Sequence, residues 1–289
     1  MALETTYTSF GDASIVAKVT NEHILRALYD LNHVAALTRK VDLMGVPSKS
    51  HKIALWPRLG AASVAEGTPI AATQVNSSSA TVTASEKGIM VVPTDALNLS
   101  SLVGIEDFAM EAAQAIAEKQ MADVANLSSG FANTVSATGV NLTEANVLTG
   151  IATLRNNRQN GPLAALLYPQ QWFDYVASVG SSFTAASGPG AAGPQAEGNK
   201  YSPADFGFAG RHLGVDFYSS SAVPTANTGA DSAGMIINRA RAIARGVKYE
   251  SRTEIERDAP LRASKVVVTS FDGVVEIEDA AGVGIITDR

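Results

Sequence analysis

The chain has no cysteine, little charge and no long apolar run. Each absence closes a class of function. Without cysteine there is no disulfide, no thiolate metal site and no thiol nucleophile. Without an apolar run of about 18 residues there is no helical membrane span. The start, Met1-Ala-Leu-Glu-Thr-Thr, lacks the basic and apolar regions of a secretory signal. Charged residues make up 17% of the 289, against about a quarter in an average globular chain. Interface cores are depleted in charge, so a chain that buries much of its surface against copies of itself has this composition. A stable monomer with a Ser/Thr-rich surface has it too. The net charge of −6 argues against nucleic-acid binding as the main function.

Catalytic constellations are also missing. There is no G-x-x-x-x-G-K-[ST] phosphate loop, no G-x-S-x-G elbow and no H-E-x-x-H pair. Gly188, Gly190 and Gly193 match the dinucleotide pattern G-x-G-x-x-G literally. The pattern needs a strand before it and a helix after it, but here a Ser/Thr/Ala-rich stretch precedes and Pro194 follows, so it reads as a loop. Of the four histidines, His23, His33, His51 and His212, the first two lie ten residues apart on one predicted helix and point in different directions. No pair of carboxylates stands in an apolar setting that would separate their pKa values. No cofactor, metal or enzymatic activity is expected. The Asn-x-Ser/Thr matches at Asn76, Asn98, Asn126 and Asn141 read as chance.

What is present is organised by periodicity. Residues 1–20 read as a polar, extended arm. Asn21 caps a predicted helix to about Leu37, with Ile24, Leu28, Leu31 and Ala35 on one face. Alternation over 41–58 and again over 80–92 predicts a long β-hairpin. Between its strands, from Trp56 to Gly88, lies a stretch whose only charges are Arg58, Glu66, Glu86 and Lys87. A two-stranded ribbon is barely stable alone in water, and nothing near it in sequence offers a surface to lie on. Ile105 to Leu127 is the clearest helix, with Phe108, Ala112, Ala113, Ile116, Ala117, Gln120 and Val124 on its face and Gly130 as its stop.

Thr143 caps a further helix carrying Val147, Leu148, Ile151 and Leu154. Leu163–Tyr168 predicts a buried strand, and Pro169 opens a helix with Trp172, Phe173 and Val176. Residues 180–204 read as loop, 211–223 as a strand and 224–233 as loop. The remainder is β-dominated, with strand-like runs starting near 234, 241, 264, 273 and 283. Charge is split: the long helix is acidic (Glu106, Asp107, Glu111, Glu118, Asp123), whereas 239–262 carries Arg239, Arg241, Arg245, Lys248, Arg252, Arg257 and Arg262. The two could pair, within a subunit or between subunits, or both could be solvated.

This order of elements resembles the major capsid proteins of tailed bacteriophages, with their Hong Kong 97-like fold. The phrases that carry the resemblance are "VAEGTPIAATQ" (64–74), "VTASEKGIMVVPTDAL" (82–97), "IEDFAMEAAQAIAEKQMADVA" (105–125), "LLYPQQWFDYV" (166–176) and the closing "RDAPLRASKVVVTSFDGVVEIEDAAGVGIITD". It covers essentially the whole chain. It implies an α+β fold with an N-terminal arm and short helix (1–37), an extended E-loop hairpin (38–95), a P-domain with a spine helix (96–135), an α/β A-domain (136–233) and P-domain return strands (234–289). It further implies self-assembly into hexamers and pentamers of an icosahedral shell around phage DNA, in the virion, after assembly in the host cytoplasm. Portal, scaffolding and decoration proteins would be the other partners, and no membrane.

In that family the E-loop lies across a neighbouring subunit. Trp56, Arg58, Glu66, Phe108, Ile116, Arg245 and Arg252 are the candidate intersubunit contacts, the alternative for each being the chain's own core or plain solvation. Some members cross-link an E-loop lysine to an asparagine of a neighbour. Here no lysine lies between Arg58 and Ser85, while Lys52 and Lys87 stand at the hairpin's base, so a shell without cross-links is expected. With about 20 residues before the first helix, a separate scaffolding protein or none is expected. Two other readings stay open: an encapsulin-like nanocompartment holding cargo enzymes, and a soluble α/β hydrolase, for which the sequence offers no triad.

Overall fold

The structure, a computed structural model, describes residues 33–56, 59–61, 63–64, 66–67, 69–70, 72, 74–95, 105–179 and 208–289; over 105–110, 136–137 and 208 it describes the backbone only. In chain order the elements begin with a single turn, α1 (Val34–Leu37), and four strands, β1 (Arg39–Asp42), β2 (Ser50–Leu55), β3 (Ser78–Thr83) and β4 (Ser85–Val91). The long helix α2 (Ile105–Ala125) runs on into a 3-10 turn, Asn126–Ser129, that ends at Gly130. Then come β5 (Thr134–Ala137), α3 (Glu144–Asn156), β6 (Leu163–Leu167), α4 (Pro169–Val179), β7 (Phe208–His212), β8 (Val215–Ser219) and β9 (Thr225–Ala226). The last strands are β10 (Asp231–Asn238), β11 (Ile243–Asp258), β12 (Ala263–Glu276) and β13 (Gly282–Asp288).

The larger sheet runs β5-β13-β10-β6-β8-β7, with β9 against β10. Its middle is covered on both faces, which is why β6 (Leu-Ala-Ala-Leu-Leu) reads as an unbroken apolar run and all eight residues of β10 are buried, its polar ends Asp231, Ser232 and Asn238 included. Leu163, Ala165 and Leu167 face α3 and α4 together with Ile236, Val283 and Phe217. Ala164, Leu166, Met235 and Ile237 face the other way, onto Leu37, Val124, Ala125 and Phe131. Gly150 lets α3 approach closely, since a β-carbon there would lie 3.2 Å from Ile236 Cδ1.

The smaller sheet is β1-β11-β12-β4, in which only the β1–β11 pairing is parallel. The alanine-rich face of α2 lies on it: Ala112, Ala113, Ile116 and Ala117 pack against Val266 and Val268. Adjacent links join the two sheets, β10 into β11 and β12 into β13, and the Ile277 N–H donates to the Ala242 carbonyl where they pass (2.7 Å).

Several elements differ from the sequence expectation. The run 80–92 is two strands, not one: β3 pairs with β2, and past Ala84 the chain changes sheet so that β4 pairs with β12. Residues 211–223 turn back on themselves because Leu213 and Gly214 both take positive φ (54° and 75°), the twist a tight hairpin turn requires. The five C-terminal runs condense into β10, two strands of 16 and 14 residues, and β13.

In α4 the buried line is Gln171, Tyr175 and Val179, whereas Phe173 is 64% exposed. Gln171 is there because its side-chain amide donates to Ser232 O and Thr287 Oγ1, tying the helix to the sheet. Leu148 of α3 also points outward. The predicted arm and most of the first helix, the loop 180–204 with its glycine pattern, and His23 lie outside the described residues.

Candidate functional site

The β2–β3 ribbon is the feature to explain. It pairs from Ser50↔Thr83 to Leu55↔Ser78 and forms a sheet of its own. Its root is seated on the smaller sheet. Val82 is fully buried, the Ala84 N–H donates to Lys49 O (2.9 Å), and beneath them Gly246 of β11 pairs with Gly273 of β12. A β-carbon at 246 would stand 2.9 Å from Leu43 Cδ1 and 3.0 Å from Val82 Cγ2; one at 273 would stand 2.0 Å from the Thr83 carbonyl oxygen. The two glycines form a trough that only a strand without side chains at those positions can offer.

A row of alternating charges runs beside this root. Lys40 Nζ meets Glu250 Oε1 (2.8 Å), Glu250 Oε2 meets Arg245 Nη2 (2.9 Å), and Arg245 Nε meets Asp272 Oδ2 (3.2 Å). Asp272 Oδ1 then meets Lys87 Nζ (3.0 Å), which meets Asp123 Oδ2 (2.7 Å), and Asp123 Oδ1 meets Lys119 Nζ (2.7 Å). The row stitches β1, β11, β12, β4 and α2 together. Its centre is dry: the Asp272, Arg245 and Lys87 side chains are 1%, 5% and 11% exposed.

Burial pushes the Asp123 carboxyl up, but hydrogen bonds from Lys119 and Lys87 outweigh it and hold the group below the usual carboxylate range. Glu250 is likewise pushed up by burial and pulled below its ordinary value by Arg245 and Lys40. Buried ion pairs return little net stability, yet losing one partner is costly. The row therefore fixes how α2 and the four strands of the smaller sheet sit together more than it strengthens the fold.

The ribbon then passes beside the junction of the two sheets and leaves a cleft of about 470 Å3. Ile53, Leu55, Trp56, Asn76 and Ser78 line it from the ribbon, and Arg39, Ala240, Arg241, Ile277, Glu278 and Asp279 from the body. Arg241 is held by Glu278 (3.0 Å), which also accepts from Gln159 (2.7 Å), and Asp279 accepts the Ala132 N–H (2.7 Å).

The candidate contact residues fall into three groups. Trp56 (70% exposed), Glu66 and Arg252 lie on the surface, Arg252 beside an equally exposed Glu254. Ile116 and Arg245 are buried in their own chain, Ile116 against the smaller sheet and Arg245 in the charge row, so neither is offered to a neighbour. For Ile116 this is the core alternative; Arg245 is buried in an ion pair, neither in an apolar core nor solvated. Arg58 and the Phe108 side chain lie outside the described residues.

Among the described residues no arginine of 239–262 reaches an acid of α2 directly. Arg239 pairs with Asp216, Arg241 with Glu278 and Arg257 with Asp95, and Arg245 reaches Asp123 only through Asp272 and Lys87. Sequence reading noticed Lys87 at the hairpin's base but missed its partner. The available signal was Asp272, an acid set between Phe271 and Gly273-Val274-Val275 in β12. His33 lies against Tyr218 with the two rings tilted, and His212 shares a hydrogen bond with the buried Tyr175, so both serve packing. Among the described residues no three His, Asp or Glu side chains converge as metal ligands, and no helix is long and apolar enough to cross a membrane.

No protein-family model matches the chain, and no curated protein does. Solved structures do match. A chain from Mycobacterium phage Che8 superposes with a TM-score of 0.65 at 15% identity, covering 87% of this chain and 89% of that one. The capsid of Ralstonia phage GP4 gives 0.64 at 11% identity, covering 88% of each. A virus-like particle from Pyrococcus furiosus gives 0.62 at 8% identity, covering 93% of this chain and 99% of that one. These matches each cover 87% or more of the chain, and the chain has the fold of bacteriophage capsid proteins.

Proposed function

We propose that the chain is the major capsid protein of a tailed bacteriophage, whose copies associate into hexamers and pentamers and close into an icosahedral shell around double-stranded DNA. The observation that carries this is a fold shared with capsid subunits over nine-tenths of the chain. In this reading the E-loop segment (38–95) carries the β2–β3 ribbon and ends in β4, whose pairing with β12 anchors it to the P-domain of α2, β11 and β12. β6 to β9 with α3 and α4 make up the A-domain (136–233), and the return segment (234–289) adds β10 and β13 to the same sheet. The ribbon's stabilising burial comes from a neighbouring copy: Trp56, Leu59, Ile70 and Val75 are apolar and exposed in their own chain, and that surface is what a partner would cover.

Affinity arises from many moderate contacts repeated by symmetry. The shell carries no covalent cross-links between ribbons. The acidic net charge keeps packaged DNA from adhering tightly to the wall. The site of action is the virion, after assembly in the host cytoplasm, with a portal and, where used, scaffolding or decoration proteins as further partners.

A second reading is an encapsulin-like compartment that holds cargo proteins, favoured by the match to the Pyrococcus furiosus virus-like particle over nearly its whole length. Sedimentation velocity with negative-stain imaging tests the shell reading: closed particles of megadalton mass are expected, and a 30.0 kDa monomer that never assembles overturns it. The contents then separate the two readings, nucleic acid absorbance marking a capsid and a co-purifying enzyme marking a compartment.

A further inference from the structure

The cleft at the ribbon's foot holds one charge that no described residue pairs with. Arg241, Glu278 and Asp279 are engaged within the chain, as described above. Arg39, exposed on the same cleft, makes no ion pair or side-chain hydrogen bond with any described residue. Ile53, Leu55 and the Trp56 indole supply an apolar wall beside it. A fitting occupant presents a single carboxylate flanked by apolar side chains.

The chain carries such a group at the free end of its own ribbon. Glu66 is the only charged residue between positions 59 and 84. It stands on an exposed turn, with Gly67 at φ 79° holding the bend. Val64 and Ile70 on either side of it in sequence are 48% and 82% exposed. Charge and apolarity thus complement each other between the two ends of one ribbon.

We propose that Glu66 of one copy seats in the cleft of the next, its carboxylate on Arg39 and its apolar flanks, Val64 and Ile70, against Ile53, Leu55 and Trp56. The inference rests on the shell reading above and names the seat of the ribbon. The contact is ribbon end to ribbon foot, and repeated head to tail with a rotation that closes it builds a ring. A lone carboxylate in a nearly neutral segment also sets register, because a slipped ribbon brings no other charge to Arg39.

Charge reversal tests the pair. E66R and R39E each lie on the surface, so both variants are expected to keep the wild-type circular dichroism spectrum and melting temperature. Each alone is expected to raise the concentration needed for assembly by about tenfold or more, and E66Q by less. The decisive sample is an equimolar co-expression of E66R chains with R39E chains. Copies alternating around a hexamer place unlike charges at every contact between chains, and a pentamer is left with one like-charged contact, whereas a contact within one chain keeps like charges together in both variants. Recovery of the fast-sedimenting fraction in the mixture supports the proposal. Normal assembly of either single reversal overturns it. So does recovery only in the E66R/R39E double variant and not in the mixture, which would place the pair inside one chain. Wild-type chain that fails to assemble is a separate result, seen before any substitution, and overturns the shell reading together with this contact.

Discussion

Gly246 faces Gly273 across the β11–β12 pair, and the end of β3 lies over both. The G273A variant is expected to be the more damaging, because its new methyl group meets the Thr83 carbonyl at 2.0 Å and backbone cannot step aside. In G246A the methyl group meets the ends of Leu43 and Val82 side chains, which can turn. Overpacking costs about 1–3 kcal/mol, so G246A should fall near the low end and G273A at or beyond the high end. G60A, with nothing within 4 Å, serves as the neutral control. Urea unfolding of the three variants checks the order.

The charge row predicts a contrast between two substitutions. D272N leaves Arg245 and Lys87 facing each other in a dry setting, and removing one partner of a buried pair costs about 3–5 kcal/mol. Arg252 pairs on the surface with Glu254, where R252E should change stability by less than about 0.5 kcal/mol. Equal losses for the two variants would show that burial does not govern the row.

Acid should loosen the same row. Asp123 and Glu250 have folded pKa values below their ordinary ones, so the unfolded chain binds protons more readily than the folded one as pH falls. Their contribution is complete above the ordinary carboxylate range, about pH 4, and is lost as pH drops through their folded values. Melting temperature is expected to fall steeply below about pH 4. The D123N/E250Q variant, less stable at pH 7, should show a flatter decline. His33 adds a smaller step with another origin. Its pKa is lowered by burial, so protonation favours the unfolded chain and the cost begins below about pH 6.5. H33Q removes that step.

Mature particles should run on denaturing gels as a single band near 30.0 kDa. The stretch from Arg58 to Ser85 contains no lysine, and Lys87 is buried between Asp123 and Asp272 rather than presented to another copy. A ladder of covalent multimers is the result that would contradict this.

How much was legible in advance depended on where each residue's partner lies along the chain. α2 was readable because its face repeats locally, Ala112, Ala113, Ile116 and Ala117 to Val124, and β6 because Gly-Pro and Pro169 bracket it. The split of 80–92 at Ala84 was not, since no local rule tells alternation in one sheet from alternation shared between two. Leu213-Gly214 was overlooked because a leucine at positive φ is an uncommon turn residue, held there by β7–β8 pairing. The charge row was hidden for the same reason of distance: Lys40, Lys87, Asp123 and Asp272 are scattered over more than two hundred positions. Arg245 looked like a surface charge because its two acids cannot be assigned to it from sequence alone. Trp56 and Glu66 are exposed, as a lightly charged excursion suggested.

The span of α2 has a mechanical consequence. Ala112 to Ala117 rest on the smaller sheet, while Met121, Val124 and Ala125 rest on the larger one. One helix of roughly 30 Å therefore splints both, alongside the paired links at Ala242 and Ile277. Such a body behaves as a stiff tile. On the proposed shell reading, curvature would be taken up at the seams between such tiles and by the two-stranded ribbon, so differences between five-fold and six-fold surroundings would fall on the segment that pairs with neither of the larger sheets.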